Sequence, residues 1–233
     1  MTRLNDLIHF YDLLGKLQNK LGKKRTLENC DGRVNWPQRG VYFFFEPGEQ
    51  RSQTGIGQRV VRVGTHALKN NSRTTLWHRL SQHKGTAIDG GGNHRGSIFR
   101  SHVGSALLQK DNWPSEIKES WGIGQNAPTE IKLLEKPFEQ SVSQYIRKMP
   151  FLWLEVNDAP GPESLRGVIE SNSIALLSNY DSANDPIDSP SLTWLGHWAK
   201  SEKVRKSGLW NSDHVMDEYD PDFLLILEGL INK

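Results

Sequence analysis

Hydrophobic residues near the N-terminus recur at the spacing of an amphipathic helix. They lie three or four residues apart, as residues on one helix face do: Leu4, Leu7, Ile8, Tyr11, Leu14, Leu17 and Leu21. Gly22 follows the last of them and is typical of a helix end. The pattern predicts a first helix that packs its apolar face on the rest of the protein and has a structural role.

Two short runs of β-branched and aromatic residues predict an antiparallel pair of strands. Residues 40–45 read GVYFFF and residues 59–64 read RVVRVG, with a polar, glycine-containing loop between them. Side chains alternate between the two faces of a strand. The alternation puts Arg62 and Val61 on opposite faces of the second strand, so we expect one mainly apolar face and one face carrying Tyr42 and Arg62.

The rest of the chain favours helices with one more strand. Residues 111–148 are rich in turn formers and give no clear pattern. Elsewhere, periodicity and capping residues predict four elements: a helix over residues 75–83, a helix capped by Ser97, a strand over residues 150–156 and a helix within residues 161–179. A terminal helix is predicted to open with Asp220 as cap and Pro221 as its first residue.

Glu170 stands out within the helix predicted for residues 161–179. It lies one helical turn from Ile174 and two from Leu177. A carboxylate among apolar neighbours is costly unless it is paired or binds a metal. Two interpretations are open at this stage: a salt bridge to Arg166, four residues earlier, or a metal ligand.

Composition narrows the class of protein. The single cysteine, Cys30, excludes an intramolecular disulfide and a zinc site built on several cysteines. The N-terminal sequence is charged throughout, unlike a signal peptide, and no run approaches the roughly 20 apolar residues that span a bilayer. We therefore expect a soluble, cytoplasmic protein that does not bind membranes.

Charge is unevenly distributed along the chain. Of the 29 Lys and Arg and the 27 Asp and Glu, ten basic residues and only one acidic residue, Asp89, fall between Arg51 and Lys110. Five of the eight histidines lie in the same stretch. A basic segment in an otherwise acidic chain favours a polyanionic partner such as nucleic acid, and an ordinary basic surface is the alternative.

The order of these motifs resembles that of the GIY-YIG nuclease family. The two tripeptides that give the family its name correspond here to residues 40–42, GVY, and residues 62–64, RVG. The family's helical arginine corresponds to Arg79 in LWHRLSQH, and its metal-binding glutamate to Glu170 in VIESNSIALLSN. A later asparagine found in many members corresponds to Asn179.

The resemblance implies a fold and an organisation of the chain. The expected class is α+β, an α/β sandwich in which helices flank a small, mainly antiparallel sheet. Residues 1–233 would form one domain with a nuclease-like core over residues 38–180. We expect an insertion at about residues 85–148 and a C-terminal helical extension over residues 181–233.

The resemblance also implies a division of chemical roles. Tyr42 would activate the attacking water, and because a phenol has a pKa near 10 it needs a nearby cation to act as a base. Arg79 would hold the scissile phosphate with its planar guanidinium. Glu170 would bind the divalent cation, Mg²⁺ or Mn²⁺, which prefers carboxylate and water oxygens. The cation would act as a Lewis acid on the phosphoryl group.

The sequence departs from the family pattern at Arg62, which stands where the second motif has tyrosine. Arg62 would then act on phosphate or supply positive charge to the phenol. His66 follows the second strand directly and is a further candidate for the catalytic site, as a hydrogen-bond or proton donor. Residues predicted to contact DNA are His83, His94, Arg95, Arg100 and Asn179.

The leading hypothesis is a metal-dependent DNA endonuclease, with RNA as the alternative substrate and a homodimer as one arrangement for cutting both strands. The second hypothesis is a nucleic-acid-binding module that keeps the fold without catalysis. Its support is the missing second tyrosine. A third is an unrelated α/β protein, such as a phosphate-binding enzyme, that matches by chance.

Overall fold

A computed structural model describes residues 2–86, 88–181 and 185–233. These residues form eight helices and a four-stranded antiparallel sheet, the α+β class expected from the sequence. The helices are α1 (Arg3–Leu21), α2 (Leu76–Lys84), α3 (Ile98–Lys110), α4 (Ser115–Ser120), α5 (Thr129–Arg147), α6 (Leu165–Leu177), α7 (Glu202–Ser207) and α8 (Phe223–Ile231). The strands are β1 (Arg25–Thr26), β2 (Gly40–Gln50), β3 (Gln58–Gly64) and β4 (Pro150–Glu155).

The sheet has the order β1-β4-β2-β3, and all neighbouring strands are antiparallel. The predicted pairing of β2 with β3 is therefore confirmed. β2 lies inside the sheet, where Tyr42 is opposite Gly64 of β3 on one side and Trp153 of β4 on the other. A residue in this position is held by main-chain hydrogen bonds from both neighbouring strands, so its side chain has a fixed starting direction.

Helices cover both faces of the sheet, and β2 is apolar toward both. Val41, Phe43 and Phe45 pack with residues of α1, α6 and α8. Tyr42 and Phe44 pack on the other face with residues of α2, α3 and α5. The alternation predicted for β2 is confirmed, and burial of both faces explains why this strand is an unbroken apolar run.

A β-bulge in β3 changes the side-chain alternation expected there. Phe44 pairs with Arg62, whereas the next residue of β2 pairs with Val60, so Val61 has no partner. The extra residue turns Val61 toward the opposite core from Val63. The simple alternation that placed these two valines on one face is wrong, but Arg62 keeps the face predicted for it.

Helix ends follow the capping residues identified in the sequence. Gly22 ends α1 with φ of 82°, a conformation that favours glycine. The Thr75 hydroxyl accepts a hydrogen bond from the His78 amide and begins α2. The Ser97 hydroxyl accepts from the Arg100 amide and begins α3.

The stretch left unassigned by the sequence pattern, residues 111–148, contains α4 and α5. α5 packs on α2 and α3 through fully buried residues, among them Phe138, Val142 and Ile146. The region predicted as an insertion therefore supplies most of one helical layer in the described part of the chain.

The C-terminal segment differs in detail from the prediction. The terminal helix begins at Phe223, because the Asp220 carboxylate accepts a hydrogen bond from the Asp222 amide in a turn that precedes it. A 3₁₀ turn covers Leu195–Trp198. None of the helices formed by the described residues has the length and apolar character that a membrane span requires.

Candidate active site

Tyr42 of β2 lies opposite Gly64, the last residue of β3. Its ring packs directly over Gly64, where a Cβ atom would collide with the phenol. The side chain is fully buried. Its hydroxyl oxygen lies 2.7 Å from Nε2 of His83 on α2. A glycine at the end of RVG thus makes room for the phenol, and the phenol meets a nitrogen base.

His83 connects the phenol to α3. Its other ring nitrogen, Nδ1, lies 2.9 Å from the Ser97 hydroxyl. Burial, together with the positive charges of Arg79 and Arg62, holds the pKa of His83 well below its ordinary value. The imidazole is therefore neutral near pH 7 and can accept a proton. The side chain is fully buried, so it is not at the surface of this structure, and its contact with DNA stays a prediction.

Arg62 lies beside the phenol as a buried cation. Nη1 donates a 2.6 Å hydrogen bond to the Trp210 carbonyl, and the guanidinium lies 4.7 Å from the centre of the Phe99 ring. The buried Nε atom has no hydrogen-bond partner among the described residues. Burial lowers the pKa of Arg62, whereas the charges of Tyr42 and Glu170 raise it. Arg62 therefore acts electrostatically on both the phenol and the carboxylate.

Glu170 of α6 faces the same region and is not paired with Arg166. Its Oε1 accepts a 2.9 Å hydrogen bond from the Thr65 amide, directly after β3. Arg166 is instead buried with Asp158 and with the main-chain carbonyls of His66 and Ala67. The salt-bridge interpretation of Glu170 is wrong, and the carboxylate is left for another partner.

Burial raises the pKa of Glu170, while the charge of Arg62, the Thr65 amide and the charges of His214 and Arg79 oppose that rise. Within the described part of the chain, its second oxygen, Oε2, accepts no hydrogen bond. Burying a charged carboxylate without full pairing costs free energy, and a bound cation would lower that cost.

Arg79 lies on α2, one turn before His83, and its side chain is partly exposed. Nη1 donates to Oε1 of Gln82 at 2.9 Å and to the Gly96 carbonyl at 3.3 Å. Arg79 forms no salt bridge with a described residue, and its charge acts on both Arg62 and Glu170. It is a cation at the surface with donors available for an anion.

His66 lies beside the same residues but is not a source of positive charge. Burial lowers its pKa to about 4, the Gln38 main chain opposes that shift, and the charges of Arg166, Arg79 and Arg39 add to it. The ring is therefore neutral at pH 7. It can donate a hydrogen bond there, but it cannot act as a protonated acid.

Five predicted site residues thus converge from two strands and two helices, and we call Tyr42, Arg62, Arg79, His83 and Glu170 the Tyr42 cluster. Its members interact through the 2.7 Å contact of phenol and imidazole and through mutual charge effects. A cluster of positive and negative side chains that are not fully paired with one another is typical of a functional site.

Three residues predicted to bind DNA lie instead in buried pairs with α5. Arg100 is fully buried and donates to the Glu139 carboxylate, to the Ser143 hydroxyl and to the His83 carbonyl. We call His94, Arg100, Glu139 and Ser143 the Glu139 cluster. Neither Arg100 nor His94 reaches the surface in this structure, and the DNA-binding role assigned to them from the sequence stays a prediction.

Charge pairing in the Glu139 cluster is complete. The amide and Nδ1 of His94 lie 2.6 and 2.9 Å from Oε1 of Glu139, and its ring stacks on Trp121. Burial alone would raise the pKa of Glu139, but His94 and Arg100 outweigh it and hold that pKa below its ordinary value. These contacts are those of a structural network.

Arg95 and Asn179 are likewise committed to contacts within the protein. Arg95 forms a bidentate salt bridge with the Glu135 carboxylate of α5, and only 4% of its side chain is exposed. The Asn179 side chain bonds to both main-chain groups of Ile187 and accepts a 3.0 Å hydrogen bond from Arg3. Both side chains already have partners within the protein, and their contact with DNA stays a prediction.

The C-terminal segment contributes to the site in a way the sequence did not reveal. The Trp210 amide donates to the Val61 carbonyl at 2.7 Å, and the Asn211 side chain bonds both the amide and the carbonyl of Val63. Asn211 thus completes the open edge of β3 next to Arg62. Only the fold shows that residues 208–211, GLWN, lie against this edge.

The residues present fit one hydrated divalent cation rather than a protein cage. Among the described residues, no group of three or more His, Cys, Asp and Glu side chains could hold a metal ion. Within the Tyr42 cluster the carboxylate is that of Glu170, and its Oε2 accepts no hydrogen bond from a described residue. Mg²⁺ commonly binds one or two carboxylates and keeps several waters, with substrate phosphate completing its shell, so a single carboxylate suits that chemistry.

Comparison with known proteins gives one result. A family model described as the GIY-YIG domain matches residues 1–233, the whole length of the chain. No curated protein and no solved structure matches the chain significantly. The family match extends beyond residues 38–180 and includes α1 and the C-terminal segment that supplies Trp210 and Asn211.

Proposed function

Because the chain belongs to the GIY-YIG family, whose members are typically nucleases, we propose that it is a divalent-metal-dependent endonuclease that hydrolyses phosphodiester bonds in DNA. The observation that supports this proposal most is the convergence of Tyr42, Arg79 and Glu170 from β2, α2 and α6. The three side chains share one electrostatic environment through Arg62.

Tyr42 and His83 would activate the attacking water together. In this proposal Tyr42 takes a proton from the water as its own hydroxyl proton passes to Nε2 of His83, across the observed 2.7 Å. The lowered pKa of His83 keeps the ring neutral, so a ring nitrogen has a lone pair for the proton, and negative charge that develops on the phenol and the phosphate would favour the protonated ring. The Ser97 hydroxyl holds the ring through Nδ1 and fixes which nitrogen faces the phenol.

The basic residues would hold and neutralise the phosphate. Arg79 has exposed guanidinium donors, whose planar geometry matches two phosphate oxygens. Water would attack phosphorus as the bond to the leaving oxygen breaks, and that oxygen would take up a proton from solvent. Arg62 would stabilise negative charge on the phenol and on the phosphate during this step.

Glu170 would hold the divalent cation, Mg²⁺ or Mn²⁺. When bound, the cation supplies Lewis-acid stabilisation of the phosphoryl group and the leaving oxygen. The Thr65 amide binds one carboxylate oxygen of Glu170, and the other oxygen would be the one to hold the cation. His66, neutral at pH 7, would donate a hydrogen bond to a phosphate oxygen and no proton.

The alternative is a DNA-binding module without catalysis, and one observation favours it. The Tyr42 side chain is fully buried, so water reaches the hydroxyl only if a neighbouring side chain moves. In the catalytic proposal Arg62 makes that movement, since phosphate binding would draw its guanidinium outward. In the binding-module proposal the phenol stays closed and only surface cations contact DNA.

Incubation with supercoiled plasmid distinguishes the two functions. We expect nicked circles with Mg²⁺, none with EDTA, and none from Glu170→Ala or Tyr42→Phe. A wild-type protein that binds the plasmid with a steep salt dependence but never nicks it, with Mg²⁺ or Mn²⁺, would support the binding module. Nicking by either variant at the wild-type rate would contradict the roles assigned above.

A further inference from the structure

A groove of about 730 Å³ lies along the outer side of α2, next to the Tyr42 cluster. Its lining includes Trp77, Ser81 and Gln82 of α2 together with Gly32 and Gly96, and Gly32 lies against the edge of the Trp77 indole. The proposed reaction does not use this groove. An aromatic ring, glycine main chain and polar side chains together suit a flat ring that carries hydrogen-bonding groups.

The groove is continuous with the proposed phosphate site. Nη1 of Arg79 donates hydrogen bonds to Gln82 and to the Gly96 carbonyl, and both of these residues line the groove. A phosphate held by Arg79 would therefore place the adjoining nucleotide at the mouth of the groove.

Trp77 offers a rigid aromatic surface there. Its indole stacks on Trp36 with ring centres 5.2 Å apart and planes at 14°. Trp36 in turn packs on Phe151 and Trp153 of β4. Because one face of Trp77 is fixed by Trp36, the ring is held in place before any ligand arrives, which lowers the entropy cost of stacking.

We propose that this groove binds one unpaired DNA base, stacked on Trp77, next to the phosphate held by Arg79. The substrate class is DNA with an unpaired nucleotide at the cleavage site, and the proposal rests on the proposed nuclease function. Three features support it: the aromatic wall, the continuity with Arg79, and the location of the groove within the basic stretch of residues 51–110. A paired base stacks on its neighbours in the duplex and has no free face for the indole.

The test is a binding measurement without cleavage. The full-length protein in EDTA is titrated into two labelled duplexes of equal length, one fully paired and one with a single unpaired 2-aminopurine. We expect at least about fivefold tighter binding of the second duplex, the lower end for a base stacked on an aromatic ring. We also expect quenching of the 2-aminopurine fluorescence on binding.

Variants assign the preference to the groove. Trp77→Ala should remove the preference for the unpaired base and leave affinity for the paired duplex within about twofold. Trp198→Ala, which removes another partly exposed tryptophan that does not line the groove, should keep the preference. If Trp77→Ala fails to fold, Ser81→Glu decides, because it puts a negative charge into the groove without disturbing the aromatic stack.

Equal wild-type affinity for the two duplexes would overturn the proposal. A preference that survives both Trp77→Ala and Ser81→Glu would overturn it as well. The outcome is separable from that of the nuclease proposal. Preferential binding without any cleavage would support the base-binding proposal and contradict the nuclease proposal. Cleavage of paired plasmid without the preference would contradict the base-binding proposal alone.

Discussion

The Tyr42 cluster and the Glu139 cluster both bury charge, but they differ in how completely that charge is paired. In the Glu139 cluster, Arg100 donates to a carboxylate, a hydroxyl and two carbonyls. In the Tyr42 cluster, Arg62 has a buried Nε without a partner among the described residues, and Glu170 accepts a hydrogen bond at only one oxygen. Arginine and glutamate are therefore fully paired in one cluster and incompletely paired in the other.

The difference shows what pairing does to a buried charge. A paired charge in the interior keeps its partner, because removing either one strands the other at a cost of several kcal/mol. An incompletely paired charge is held in place by the surrounding fold, and a ligand of opposite charge stabilises it. On this basis the Glu139 cluster stabilises α3 against α5, and the Tyr42 cluster is the site at which we propose that substrate and cation bind.

The largest expected effect follows from removing the base that faces the phenol. His83→Ala should slow plasmid nicking by about 100-fold or more, in the range for loss of a general base. The reason is that Tyr42 then has no nitrogen to receive its proton. Single-turnover nicking rates at saturating Mg²⁺ measure the effect.

Ser97→Thr provides the control for His83, because it keeps the hydroxyl that holds Nδ1. Its nicking rate should stay within about threefold of wild type, a loss of less than about 1 kcal/mol in the barrier. A His83→Ala protein that folds normally and nicks as fast as wild type would show that the phenol is activated in another way.

Replacing one arginine in each cluster with methionine should give opposite results. Arg100→Met strands the Glu139 carboxylate and should lower the free energy of unfolding by about 3 to 5 kcal/mol. Arg62→Met removes a cation with an unpaired donor and should leave stability unchanged or raised, while nicking falls by about 100-fold. Urea unfolding and nicking rates on both variants measure this contrast.

Equal destabilisation by the two methionine substitutions would contradict it. Such a result would mean that Arg62 is a structural cation like Arg100, and that its missing hydrogen bond has no bearing on function.

Acid should weaken the fold through histidines around the Tyr42 cluster. Burial lowers the pKa of His102 to about 4, with the charge of Arg62 acting in the same direction. The unfolded chain takes up this proton below about pH 6.5 and the folded chain does not, so stability is complete above that pH and is lost as the pH falls toward 4. The loss from His102 is about 2 kcal/mol by pH 4.5.

Urea unfolding at pH 7.5 and pH 4.5 checks the acid effect on wild type and on His102→Gln. The variant should lose less stability between the two pH values. An unchanged pH dependence in His102→Gln would exclude His102 as its source.

The smallest expected effect concerns the C-terminal segment that covers the edge of β3. Asn211→Ala leaves the amide and carbonyl of Val63 without their side-chain partner and should cost about 1 to 2 kcal/mol of stability. Nicking should fall by less than about tenfold, because Arg62 keeps its bond to the Trp210 carbonyl. Asn211→Asp, which can still accept from the Val63 amide, should lie between wild type and Asn211→Ala in urea unfolding.

Several parts of the fold could be predicted because local chemistry determines them. The alternation of β2, the glycine end of α1 and the hydroxyl caps of α2 and α3 all depend on nearby residues. The pairing of β2 with β3 likewise follows from two adjacent β-forming runs. The bulge at Val61 was not predictable, since it depends on the register between two strands.

The parts of the candidate site that the sequence did not reveal have a common physical origin. Arg95 and Arg100 were expected at a DNA surface, whereas their partners in the fold, Glu135 and Glu139, lie about forty residues later in a stretch without a clear pattern. The salt bridge between Arg166 and Glu170 was one of two interpretations and depended on helical spacing alone, although a buried arginine is satisfied equally well by carbonyls. Long-range partners decide which charges are free, and a sequence does not reveal them.

One substitution made at two carboxylates tests the central comparison most directly. Glu170→Gln and Glu139→Gln are each assayed for Mg²⁺-dependent plasmid nicking per folded molecule and for the free energy of unfolding in urea. We predict that Glu170→Gln loses nicking by at least about 100-fold and keeps its stability, and that Glu139→Gln loses about 3 kcal/mol of stability and keeps its nicking rate. Wild-type nicking by Glu170→Gln, or loss of nicking by a fully stable Glu139→Gln, would contradict the account.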